Sequence, residues 1–68
     1  MINKRIVAAL EKYLLSKERI HVHGKTNDVY AHGIVQEVDT KEDYVYIIGS
    51  NNTEYHIVIS QIASIKTN

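Results

Sequence analysis

Residues 33–65 read as short apolar runs cut by polar turns, and that rhythm leaves few folds open to the chain. Tyr44 to Ile48 is apolar on both parities, as in a central strand. Tyr55, Ile57 and Ile59 recur at every second position, the period of a half-buried strand. Residues 40–43 and 49–53 have the composition of hairpin loops. Ser60 and Gln61 leave almost no connection before a last short run from Ile62 to Lys66. The pattern predicts a β-meander.

The first part of the chain keeps a different period. Ile6, Val7, Leu10, Tyr13 and Leu14 fall three and four apart behind Asn3, a residue that caps helices well. A helix over about 3–16 follows. Ile20 and Val22 then alternate with His21 and His23, and residues 24–28 form a turn. In the next strand Val29 and Ala31 lie on one parity and Ile34 and Val38 on the other, with Gly33 at the change. A strand that switches faces needs a bend or bulge. The expected fold is mainly β (α+β): an N-terminal helix, then a five-stranded, strongly bent antiparallel barrel. It fills a single domain over 1–68, with strands at about 19–23, 29–39, 44–49, 54–59 and 62–66.

At 68 residues, without Cys, Trp, Phe or Pro, the chain has a small core and no disulfide to reinforce it. Oligomerisation is the expected route to further burial. The lack of cysteine suits a cytoplasmic protein. The first apolar run, Ile6 to Leu10, is short and followed by charge, unlike a secretory leader. No stretch approaches the roughly 18 apolar residues of a membrane span.

Net charge is zero, which argues against a strong non-specific grip on nucleic acid. The charges are nevertheless segregated. Residues 1–25 carry Lys4, Arg5, Lys12, Lys17, Arg19 and Lys25 against Glu11 and Glu18, a balance of +4. Residues 26–68 carry Lys41 and Lys66 against six carboxylates, a balance of −4. Such a split fits an anionic ligand on the basic side or head-to-tail contact between copies.

Helix, five strands, a glycine in the second strand and a last pair joined by almost nothing resemble the Sm-like family, in particular its bacterial Hfq branch. Ser16-Lys17-Glu18-Arg19-Ile20 is similar to the basic exit of the Hfq helix. Gly33, Val35, Val38 and Asp39 are similar to the first Sm motif, and Ile59-Ser60 matches an Ile-Ser dipeptide in the last Hfq strands. Three positions depart from the pattern. His56 and Ile57 stand where Hfq has a Lys-His pair, Ala8 stands at about the place of a glutamine, and the loop after Asp39 is longer. Parts of the same region, with Asp43-Tyr44-Val45 and Gln61-Ile62, also resemble a family of small spore-associated barrel proteins viewed as structural components.

The Sm-like resemblance implies a non-catalytic homo-oligomeric ring that binds single-stranded RNA as a post-transcriptional regulator or RNA chaperone. The competing resemblance implies a structural or protein-interaction module without RNA. For RNA, the expected residues are Lys17 and Arg19 on the basic side, with Tyr44, Tyr55 and His56. Tyr44 and Tyr55 flank turns, where a ring can stack on a base. For the subunit contact they are Tyr55, Ile57, Ile59, Ile62 and Ile65, on edges formed by the last two strands.

The remaining chemistry-bearing residues have plainer readings. His21 and His23 share a strand face, as a metal pair would, yet solvent-facing histidines or a pH-sensitive subunit contact account for them as well. Tyr13, Tyr44 and Tyr46 fit core or interface positions. Glu37, Asp39, Glu42 and Asp43 cluster around a hairpin as a solvated rim, with Asp39 placed to accept backbone N–H groups of the turn. No catalytic triad spacing, phosphate loop, cofactor motif or metal motif is present in the sequence. An enzyme is not expected.

Overall fold

The computed structural model describes residues 3–67. Residues 1, 2 and 68 of the expected 1–68 domain lie outside the described residues. One helix precedes five antiparallel strands: α1 (Lys4–Ser16), β1 (Ile20–Gly24), β2 (Tyr30–Asp39), β3 (Tyr44–Ile48), β4 (Glu54–Val58) and β5 (Ile62–Thr67).

Helix α1 starts where its cap directs. Asn3 has extended backbone, and its side chain accepts hydrogen bonds from the amides of Arg5 (2.9 Å) and Ile6 (3.4 Å). The helix stops at Lys17, which takes a left-handed conformation (φ 62°) and donates its amide to the Tyr13 carbonyl at 3.0 Å. Ile6 and Leu10 are buried, and Val7, Tyr13 and Leu14 pack around them against the sheet. Full burial of a leucine such as Leu10 contributes on the order of 1.5–3 kcal/mol.

The strand order is β4-β3-β2-β1-β5. Strand β2 changes partner midway: Tyr30 to Gly33 pair with β1, and Ile34 to Asp39 pair with β3. The exchange brings the Ile48 carbonyl against Gly33, where a Cβ would collide with it. Glycine is therefore required for close approach of two backbones. The change of face predicted at Gly33 occurs later. Ala31, Gly33 and Val35 are all buried in one phase, and the register slips between Val35 and Glu37. The bulge at Gln36 then turns Val38, rather than Glu37, toward the core.

The sequence pattern suggested a closed barrel, whereas the sheet is open. A three-residue 3-10 turn, Ile59–Gln61, follows β4 and sends β5 to the far side of the sheet, where it pairs with β1. Strands β4 and β5 are thus the two edges. Ile20, Val22, Val35, Val45, Ile47 and Ile59 form the centre of the core, and no polar residue is buried among the described residues. Among the described residues no helix is long and apolar enough to cross a membrane.

Candidate nucleic-acid interface

Strand alternation sends one set of side chains into the core and the other to the outer face. On β3 and β4 the inward set is Val45, Ile47 and Ile57, and the outward set is Tyr44, Tyr46, Glu54, His56 and Val58. Tyr46 and His56 are directly opposite in register, so their rings stack at 4.6 Å and 19°. Tyr44 lies diagonally, 6.1 Å from the same imidazole. Each phenol is held by a carboxylate: Tyr44 Oη donates to Glu37 Oε1 at 3.0 Å, and Tyr46 Oη to Glu54 Oε1 at 3.0 Å. The bond to Glu37 holds the Tyr44 phenol above its ordinary pKa, with loss of hydration adding to it. For Tyr46 desolvation is the larger cause and the bond to Glu54 the smaller.

A second group of rings occupies the outer face of β1 and β2. His21 and His32 are register partners, stacked at 4.0 Å and 4°. His23 meets Tyr30 edge to face at 5.2 Å, and Tyr30 Oη is 2.9 Å from His21 Nδ1. Lys66 of β5 stands opposite His21 on the other side. Nε2 of His32 is buried without a hydrogen-bond partner. Desolvation, then the neighbouring His21 and Arg19, hold the His32 pKa below its ordinary value. Parallel imidazoles cannot aim their lone pairs at one ion, and no group of three or more candidate metal ligands occurs among the described residues.

The structure brings Tyr44 and His56 together but separates Tyr55 from them. Tyr55 is half-buried, pairs with Ile47 and packs on the core beneath the sheet. Lys17 and Arg19 are exposed between α1 and β1. Of the expected contact residues, Ile57, Ile59 and Ile62 are buried in the protomer's own core, and Tyr55 and Ile65 pack against it. What β4 offers outward is its backbone edge and Val58, which is 48% exposed. An open groove of about 430 Å³ runs along that edge, lined by Asp28, Tyr30, Glu54, His56, Val58 and Gln61 among others.

Sequence reasoning missed Tyr46 as a member of the ring cluster because its run is apolar on both parities. The outward direction of Tyr46 follows from Val45 and Ile47 being the buried pair. The His21–His32 stack was out of reach, since it depends on the β1–β2 register. No family model, curated protein or solved structure matches this chain.

Proposed function

We propose that the chain is a small, non-catalytic, cytoplasmic RNA-binding oligomer on an Sm-like frame, acting as a post-transcriptional regulator or RNA chaperone. The observation that carries this reading is the outward cluster of Tyr44, Tyr46 and His56, whose rings are already ordered by register and hydrogen bonds. Ordered rings lose little freedom when a base stacks on them, and such stacking is worth about 1–3 kcal/mol per base. Lys17 and Arg19 supply cations for phosphate.

Oligomerisation joins the two edges. Antiparallel pairing of β4 with the β5 of a neighbour, in the register that sets Glu54 opposite Lys66, also sets Tyr55 opposite Ile65 and His56 opposite Ser64. Outer side chains then meet outer side chains, and opposite charges meet. Repetition of that contact gives a ring.

Fluorescence anisotropy with uridine-rich and adenine-rich hexanucleotides tests the RNA reading. Binding at low salt that weakens as salt rises, and at least tenfold weaker binding by Tyr44→Ala or His56→Ala, is expected. No binding at low salt sinks it. Light scattering tests the ring, and a monomer at micromolar concentration rules it out.

A second reading, an assembly module without RNA, is favoured by Glu37 and Glu54, which place carboxylates on the same face as the rings. It requires oligomers that dissociate in high salt and do not respond to RNA.

A further inference from the structure

The outer face of β5, β1 and β2 carries a row of side chains of which the RNA reading uses only the flanking Arg19, and the ring contact only Lys66. Lys66, His21 and His32 are consecutive register partners across three strands. Adjacent strands lie about 4.8 Å apart, so the three bases form a short line across the sheet. Arg19 precedes β1 on the same parity as His21 and His23, and is exposed. We propose that this row is a binding site for phosphate-bearing anions whose grip tightens in mild acid.

Within the sheet the neighbours of the row are cationic or neutral, and the carboxylates of Asp28 and Glu54 line the groove on the far side of Tyr30. On β1 the neighbours are Arg19 and His23, on β2 Tyr30, and on β5 Lys66 with Ser64 one step along. On the far side of β2, strand β3 sets Ile48 beside Ile34, and Gly49 lies against the His32 carbonyl, so β3 adds no charge there. The buried residues of α1 join the inner core, on the other side of the sheet. Asp28, the carboxylate nearest in sequence, is in the β1–β2 turn beyond the His23–Tyr30 pair.

The 4.0 Å stack makes the site responsive. Two imidazolium rings in face-to-face contact repel each other, and Nε2 of His32 has no acceptor to take up a new N–H. Charging the pair is therefore unfavourable unless an anion held by the exposed Lys66 and Arg19 offsets the repulsion between the rings. By linkage, an anion that binds the protonated row raises the histidine pKa values, and acid tightens the anion by the same factor. Each proton taken up tightens binding by about tenfold for every unit of pKa that the anion restores.

The site is separate from Tyr44, Tyr46 and His56, so it stands whether or not RNA binds those rings. Isothermal titration with inorganic tripolyphosphate at pH 8 and pH 5.5 tests it, with a uridine hexanucleotide as a second probe. The expected result is roughly tenfold or greater tightening of tripolyphosphate at pH 5.5, flattened in the double variant His21→Gln, His32→Gln. Lys66→Gln and Arg19→Gln, both at exposed positions, weaken binding at pH 5.5 even if the double variant does not fold. Hexanucleotide binding that gains the same pH dependence assigns the row to RNA phosphates, and tripolyphosphate alone assigns it to small polyphosphates. Tripolyphosphate affinity that is equal at the two pH values overturns the proposal. So does tightening that survives the loss of both histidines, or of both Lys66 and Arg19.

Discussion

Asp43 and Ser60 are tied by two hydrogen bonds: the Ser60 amide donates to Asp43 Oδ1 at 3.2 Å, and Ser60 Oγ donates to Oδ2 at 2.8 Å. The Asp43 carbonyl also accepts the amide of Ile59 at 3.0 Å. Asp43 has left-handed backbone (φ 59°), which aspartate tolerates better than most residues. One residue thus fixes the β2–β3 hairpin to the turn that separates β4 from β5. Asp43→Ala should cost about 2–3 kcal/mol, the scale of two bonds to a charged group in a part-buried position. Asp43→Asn, which keeps the backbone preference and one acceptor, should cost about half as much. Urea denaturation checks both, and a loss in Asp43→Ala below about 0.5 kcal/mol would count against the clamp.

Gly33→Ala should be among the most damaging single changes, at about 3 kcal/mol or more, because the added methyl meets the Ile48 carbonyl rather than a side chain that can move. Thermal melts would detect it directly. A variant that melts like the wild type would mean that β2 and β3 separate there without cost.

The helix, the strand content and the antiparallel sense of the sheet were legible in the sequence because periods of 3.6 and 2 are written into single positions and the connections between strands are short. Asn3, Leu10, Val22 and Ile47 show this best. The pairing of β5 with β1 was not legible. What was not legible depends on distance in three dimensions. The bulge at Gln36 is decided by how Glu37 pairs with Tyr46, and nothing in the sequence around Gly33 distinguishes a change of partner from a change of face. Closure into a barrel depends on where β5 finds its partner, which is a competition between strands. Half of the candidate site shared that fate: Tyr44 and His56 meet through the β3–β4 register, whereas Tyr55, equally close to a turn, is drawn under the sheet by its parity.

Stability should fall as the pH drops below about 6.5. His32 in the folded chain has a pKa below that ordinary value, chiefly because it is desolvated. Above 6.5 both folded and unfolded forms are neutral there; below it the unfolded chain takes up a proton first, and folding is penalised until the folded pKa is passed. His32→Gln should flatten this acid limb in melts between pH 8 and pH 4.5. Tyr44 and Tyr46 give the opposite limb. Their raised pKa values keep them protonated when folded, so stability is full below the ordinary value of 10.0 and declines as pH rises beyond it. An acid limb of unchanged slope in His32→Gln would remove His32 as its source.

Lys17 occupies a position where glycine is the usual residue, because its backbone is left-handed. Lys17→Gly should raise stability by up to about 1 kcal/mol. If Lys17 serves RNA, the same change weakens binding and reduces its salt dependence. The paired measurement separates a residue kept for charge from one that is merely tolerated. Stabilisation with unchanged affinity would remove Lys17 from the interface.

The ladder between β1 and β5 differs from the others in when it can form. The β1–β2, β2–β3 and β3–β4 pairs are hairpins between successive segments, but Gly24 meets Ile62 only after nearly the whole sheet has been laid down. Hairpins close within microseconds, whereas a long loop adds an entropic delay. Until β5 docks, β1 presents a vacant edge of the right register, and the β5 of a second molecule satisfies it as well as its own. Two chains trapped at that moment would trade their last strands. Ile65→Val should therefore speed unfolding and leave the folding rate nearly unchanged, and stopped-flow kinetics that show slowed folding instead would place β5 in the early nucleus. The same few residues that finish the protomer thus set the time during which it is open to exchange.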